Sequence, residues 1–377
     1  MIVRRISCQP YGRQVCPSAN SPTHCQFDYT NSLHYPIVLT SSIISIMMAE
    51  NTTFTEELIA LLAPAFGLDR NGISFLTEGE NLIFLYQNDS DRRILRVSGN
   101  HDRRRADIEA ELDFMLWLNH CGDVAVRLLP TRSGSYLAEL PLAETTRYAI
   151  SYEMLERPFP GKQAWNSEVF TRLGERSGQL HQASLQYKPG ATQRYQWHED
   201  PDLHYIMSLD GKYRLVAERT KTLVERLRAL PADRSKFGLI HADLHCGNMG
   251  WDRQGQIRFY DFDDCQYGWL MQDLAVALFF SYWEPDMIGG IMNHSSGDTS
   301  HAADFAGSFL AGYRRHASPD PVQLSALGDL LKLQRCLLWG VLHADGENRG
   351  DWEQVYQKWQ KEIEADLPFV ELDFSRF

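Results

Sequence analysis

The chain has 377 residues, 44% of them hydrophobic, and a formal net charge of −12. That length can bury a large core and is long for one domain, so two lobes or domains are expected. The acidic balance argues against general nucleic-acid binding, which needs a basic face, and no run of about eighteen apolar residues is present to span a membrane. Seven cysteines, three of them in the first 25 residues, form an odd and scattered set. Such a set fits a reducing compartment, hence a cytoplasmic protein with no disulfide framework. Cys246 and Cys265 flank the stretch that carries the chemistry and read either as small buried residues or as oxidation-sensitive thiols.

Residues 1–47 hold three Cys and many Ser, Thr, Pro and Asn without sustained periodicity, and read as a disordered extension or an upstream start-site artefact. From Phe54 to Phe66, Leu58, Ile59, Leu61 and Leu62 give a helical face. Five short strands are expected over Ile73–Leu76, Asn81–Gln87, Arg92–Val97, Tyr136–Leu140 and Arg147–Leu155, with Asn88–Asp91 as a hairpin loop. A helix over Ala106–His120 interrupts them. Two prolines and a glycine in Arg157–Gly161 break the last strand. Beyond this point the pattern turns helical: Val169–Ser184, Tyr213–Leu230, Leu274–Trp283, Ala302–His316, Pro321–Ala344 and Asp351–Leu367. Gly174 and Gly178 inside the first of these cost about 1 kcal/mol each relative to Ala, and close approach of another helix is the usual compensation. Gly289–Ser300 reads as a loop. The acidic end, Asp351 to Asp373, reads as a solvated face, with an acceptor wall as the alternative.

The chemistry-bearing stretch runs from Leu239 to Asp264. Two apolar runs, Phe237–Ile240 and Ile257–Tyr260, flank a loop carrying His241, Asp243, His245 and Asn248, and the second run ends in Asp261-Phe262-Asp263-Asp264. If the two runs pair as a hairpin, Asp243, Asn248 and Asp261 converge. One carboxylate can then take the proton of an attacking hydroxyl while an amide oxygen and a second carboxylate hold Mg2+ against phosphates. The competing reading is a metal hydrolase with His241, Asp243, His245 and Cys246 as ligands, but Ala242 and Leu244 break the dense spacing such sites use.

The pattern His241-Ala242-Asp243-x-x-x-x-Asn248, followed by Asp261-Phe262-Asp263 and Gly268-x-x-x-x-Asp273-Leu274-Ala275, resembles the aminoglycoside phosphotransferase and choline kinase family. The resemblance covers roughly residues 50 to 345. It implies an α+β, protein-kinase-like bilobal fold: a five-stranded antiparallel N-lobe with one helix over 48–157, and a mainly helical C-lobe over 158–377. It also implies ATP and Mg2+ as cofactors, Asp243 as catalytic base, and Asn248 and Asp261 as metal ligands. His241, His245, Asp263, Asp264 and Asp273 become supporting residues, with Asp273 accepting hydrogen bonds from the catalytic-loop backbone. In the N-lobe the Gly79 turn would cover the phosphates, and Glu153, Met154 and Leu155 would meet the adenine edge. Arg96 stands where the family has a lysine that touches the α- and β-phosphates, and Glu111 would be its ion-pair partner, with Glu109 as the alternative. Arg keeps the charge but is longer and planar, and the Gly79 turn has one glycine rather than three; both depart from the family pattern.

The expected partner is a small-molecule hydroxyl acceptor such as an amino alcohol, amino acid, sugar or aminoglycoside-like compound, with neither nucleic acid nor membrane involved. Phosphorylation of protein Ser/Thr, as in a bacterial stress-response relative, is the alternative within the same chemistry; no Ala-Pro-Glu activation segment follows Asp264. A nucleotide-binding pseudokinase is the alternative outside it, motivated by Arg96 and the sparse glycine turn. Oligomeric state is not legible.

Overall fold

The computed structural model describes residues 41–99, 104–143, 145–158, 166–282, 298–344 and 346–377. The extension up to residue 40, the Phe159–Gly161 end of the strand break and most of the Gly289–Ser300 loop lie outside them. Helix α1 (Ser41–Phe66), within which the expected boundary at residue 48 falls, precedes strands β1 (Ile73–Glu78), β2 (Asn81–Gln87) and β3 (Arg92–Ser98). Helix α2 (Arg105–Gly122) and strands β4 (Leu128–Leu129), β5 (Ala138–Pro141) and β6 (Thr146–Glu153) follow. The strands form one antiparallel sheet in the order β1-β2-β3-β6-β4, with β5 also paired to β6.

This sheet has six strands where the sequence pattern gives five. The extra one, Leu128–Leu129, pairs with Tyr152 and Ser151, and two residues are too few to show alternation. The lobe also carries two helices rather than one, because α1 seals the outer face of the sheet. Alternate residues Leu82, Phe84 and Tyr86 of β2 and Leu95 and Val97 of β3 pack there against Leu58, Leu62 and Phe66. Period-two alternation therefore turns Arg96, between Leu95 and Val97, to the opposite face. Helix α2 belongs to the second, larger core: Leu112, Phe114, Met115 and Leu118 are buried with C-lobe residues, and the Trp117 indole donates to Ala183 O at 2.8 Å.

The C-lobe contains α3 (Ser167–Gln186), α4 (Pro201–Ser208), α5 (Arg214–Arg228), α6 (Leu270–Ser281), α7 (Thr299–Tyr313), α8 (Pro321–Ser325), α9 (Leu327–Ala344) and α10 (Glu353–Glu364). Every residue of α6 is buried, as expected of a helix apolar on all sides. The span expected as one helix from Pro321 breaks at Ala326 between α8 and α9. The acidic end is tied into the lobe, with Glu362 paired to Arg335 at 3.0 Å and Asp366 to Lys332 at 2.7 Å.

The glycines of α3 do mark a close helix approach. A Cβ on Gly174 would run into the Phe309 carbonyl of α7, and one on Gly312 of α7 would run into the Thr171 carbonyl of α3. Gly174→Ala is accordingly expected to destabilise the chain by about 2 to 3 kcal/mol, since two backbones must part to admit one methyl. Urea denaturation reads this as a lower midpoint at unchanged slope; an unmoved midpoint would show that the helices separate freely.

The expected hairpin between Phe237–Ile240 and Ile257–Tyr260 does not form. Strand β8 (Phe237–Ile240) pairs with β11 (Gln266–Trp269), while β9 (Met249–Trp251) pairs with β10 (Ile257–Phe259) on one side and β7 (Arg157–Pro158) on the other. The intervening residues 241–248 are long enough for the chain to leave β8 and supply β9 itself, so two small ribbons replace one hairpin. The loop and Asp261 still meet, because Tyr260 N–H donates to Asn248 O at 3.0 Å just after β10.

Candidate active site

The loop that carries Asp243 leaves β8 at His241 and turns sharply. Ala242 has φ +65° and Asp261 φ +61°, so two of the four non-glycine residues in the left-handed region among the described residues sit here. Such strain persists only where the surroundings over-determine it, and Asp273 provides this. One oxygen of its carboxylate accepts His241 N–H at 3.1 Å and the other accepts Ala242 N–H at 2.8 Å. Asp273 is itself held by His181 Nε2 at 3.0 Å, whose Nδ1 meets the Tyr313 hydroxyl at 3.0 Å. All four side chains, His181, His241, Asp273 and Tyr313, are fully buried. Asp273 thus has the backbone-clamping place the family resemblance implies.

His241 ties the loop to the segment that carries Asp261. Its Nδ1 accepts Asp243 N–H at 3.3 Å and its Nε2 reaches Tyr260 O at 3.1 Å, which fixes the tautomer with the proton on Nε2. Burial pushes its pKa down, against Asp273 and Asp243, so the ring is neutral. With both ring nitrogens taken, His241 is not available as a metal ligand, which removes the metal-hydrolase reading. Asn248 donates through Nδ2 to Asp243 O at 3.0 Å and to Asp243 Oδ2 at 2.8 Å, so its amide orientation is set and its Oδ1 accepts nothing from the described residues. His245 lies on the same Asp243 oxygen, Nε2 to Oδ2 3.4 Å, and its Nδ1 accepts Gly247 N–H at 2.9 Å. Its ring also lies against Phe280, 4.8 Å between centroids. Burial opposes charge on this imidazole, but the Asp243 carboxylate outweighs it and raises its pKa.

Asp261 and Asp263 share one partner. Arg96 Nη1 lies 3.1 Å from Asp261 Oδ1 and 2.8 Å from Asp263 Oδ1, and Arg96 Nη2 lies 2.7 Å from Glu111 Oε2. Arg96 and Glu111 therefore form the ion pair implied by the resemblance, and the guanidinium also reaches the C-lobe carboxylates. Asp261 is pushed up to about 7, by burial first and then by Asp263, with Arg96 pulling the other way. A carboxylate under that pressure suits a cation ligand, and Asn248 Oδ1 would supply a second oxygen. Two protein oxygens plus phosphate and water complete a hard-cation site, so the residues fit a divalent metal. Among the described residues no cluster of three or more His, Cys, Asp or Glu is arranged to hold one without a substrate.

Asp263 faces the N-lobe: its Oδ2 accepts the Asn81 side-chain amide. Asp264 sits on the turn closed by Cys265 N–H to Phe262 O at 3.0 Å. The Gly79 turn is closed by Gly79 N–H to Asn81 O at 3.0 Å, and nothing lies within 4 Å of where a Gly79 Cβ would be. At the hinge, Glu153 N–H bonds Arg127 O, Met154 N–H reaches Arg92 O and Glu156 N–H bonds Trp251 O. The Glu153 carboxylate is spent on Arg127, and the Met154 sulfur lies 3.2 Å from Arg92 Nη2. Leu155 N–H is left without a partner among the described residues.

Three participants were not singled out from the sequence. Asn81 lies 182 positions from the carboxylate it meets. Arg194 is buried and donates to the Cys265, Asp263 and Asp107 carbonyls, fixing the backbone after Asp261. Asn81 falls in the turn beside Gly79, His181 in the Gly178-x-Leu180-His181 run of α3 and Arg194 at the head of the polar, aromatic run Arg194–Asp200, so the sequence pattern points near each of them without giving any a role.

The family model for the phosphotransferase enzyme family matches residues 73–327. The chain is 28% identical over 329 residues to the amicoumacin kinase of Bacillus subtilis (strain 168), covering 85% of this chain and 95% of that one. Among solved structures, an amicoumacin kinase in complex with AMP-PNP, Ca2+ and Ami superposes with a TM-score of 0.77 at 25% identity, covering 89% of this chain and 98% of that one. A microcompartment-associated aminopropanol kinase shares the fold, with a TM-score of 0.65 at 22% identity over 83% of this chain and 95% of that one.

Proposed function

Because this chain belongs to the phosphotransferase enzyme family, we propose that it transfers the γ-phosphoryl group of ATP, with Mg2+, to a hydroxyl of a small molecule. The observation that carries the reading is that Asp243 and Asn248, bonded to each other on a strained loop clamped by Asp273, are tied to the segment that carries Asp261, across from the Arg96–Glu111 pair. In this reading Asn248 Nδ2 and His245 Nε2 hold Asp243 Oδ2 and so fix the carboxylate that receives the acceptor's proton. Positioning matters as much as basicity in a loose phosphoryl-transfer transition state. Asn248 Oδ1 and Asp261 would hold the metal, which offsets charge on the phosphate oxygens. Leu155 N–H is the hinge group placed to meet the nucleobase.

Acceptor class is tested by ADP release from the purified chain across amino alcohols, amino acids, sugars, aminoglycosides and amicoumacin, the last because a 28% relative is a kinase of that compound. Turnover with one of these is the expected result. ADP release only with protein substrates would favour the stress-response kinase, and nucleotide binding without turnover would favour the pseudokinase.

Gly79 offers a test of the phosphate cover. Its surroundings leave room for a Cβ, so Gly79→Ala should leave the melting temperature within about 1 °C. If phosphate oxygens approach that backbone, the same methyl should raise KM for ATP several-fold. An unchanged KM would place the phosphates elsewhere.

A further inference from the structure

We infer that Arg96 takes the place of a second divalent cation, so that this phosphotransferase binds its nucleotide with one metal ion. The inference rests on the kinase reading and extends it to the metal count. Nη1 of Arg96 lies between two carboxylates two residues apart, Asp261 at 3.1 Å and Asp263 at 2.8 Å. A positive centre held by neighbouring carboxylates is also how such sites hold a metal ion, so the guanidinium fills the position from which a second cation would draw its ligands. Here the bridging charge is part of strand β3, and Glu111 pins it from the other side at 2.7 Å.

Arginine can play this part where lysine cannot. Its planar fork divides two terminal nitrogens between opposite partners and keeps its charge at any physiological pH. A lysine would have one nitrogen to divide among three carboxylates. Arg96 is 5% exposed, so a metal arriving between Asp261 and Asp263 would have to leave a buried cation without two of its partners, which is strongly unfavourable. Asp263 is turned away from any second metal as well, since its other oxygen accepts Asn81 and its carbonyl accepts Arg194. Asp261, by contrast, keeps a side chain that is 41% exposed, beside the Asn248 loop.

The test counts Mn2+ in the isolated complex of the full chain with AMP-PNP, by electron paramagnetic resonance after acid release. One Mn2+ per chain is expected for the wild type. In Arg96→Gln, which frees the carboxylate pair by replacing the cation with a neutral amide, the count should rise toward two at the same free Mn2+. Two Mn2+ in the wild type would overturn the inference whether or not the variant folds. So would a count of one in both proteins. A wild-type chain that binds no Mn2+ with AMP-PNP would instead overturn the kinase reading on which this one stands.

Discussion

Asp243→Asn is expected to lower kcat by about 10³- to 10⁴-fold, the upper range for loss of a positioned general base, while leaving the fold and nucleotide binding intact. The separation follows from the contacts. Asn248 Nδ2 and His245 Nε2 both approach Asp243 Oδ2, and an amide oxygen in that place still accepts from them. Asn248 also holds the Asp243 backbone carbonyl, which the substitution does not touch. Loop geometry thus survives, and only the group that receives the hydroxyl proton is lost. The melting temperature should stay within about 1–2 °C of wild type, and Mg-ATP should raise it as before. Near wild-type turnover with the true acceptor would remove Asp243 from the role of base. A variant that has also lost its response to Mg-ATP would place Asp243 at the metal instead.

How much of this was legible in the chain depends on the range of the interaction. The β2 and β3 strands announce themselves by alternation, because Leu82, Phe84, Tyr86, Leu95 and Val97 all face one helix. The catalytic loop announces itself because Asp243, Asn248 and Asp261 lie within 19 positions of one another. The pairing of β8 is not legible for the opposite reason: its partner is β11, not the nearer apolar run in β10, and apolar runs carry no label of partner. Period-two patterning says which face is buried and not which strand sits alongside. Arg96 was visible as a departure from a family pattern, but its reach to Asp261 and Asp263 spans 165 and 167 positions, and only the folded lobes bring them together. The same holds for Asn81 and Arg194, whose residue types are ordinary in turns and loops. Gly174 shows the middle case: a costly residue in a helix signalled a close contact, though not that Phe309 would supply it.

Asp261→Asn should produce effects of opposite sign in the empty and the loaded protein. Asn tolerates the left-handed φ of +61° that this position imposes, so backbone strain is not the variable. In the metal-free chain the Asp261 carboxyl is pushed up to about 7, chiefly by burial and then by Asp263, an effect that water screens in part because 41% of the side chain is exposed. Its folded value therefore lies above its unfolded one, and ionising it works against folding. That penalty is fully present above about pH 7 and fades as pH falls toward the unfolded value of about 3.9. In EDTA the variant should accordingly melt higher than wild type at pH 8, with the gap closing by pH 4. Arg96 retains Asp263 and Glu111 throughout, so the ion pair that joins the lobes persists. With nucleotide the order reverses. The neutral amide is a far poorer ligand for a hard divalent cation than a carboxylate, so the rise in melting temperature caused by ATP should no longer depend on Mg2+. Turnover should fall at least as far as in Asp243→Asn, because without the metal the phosphate charge is unbalanced and the γ-phosphoryl group is not positioned. Full Mg2+ dependence in the variant would move the metal off Asp261, and a lower melting temperature in EDTA at pH 8 would show that its carboxylate stabilises the empty site.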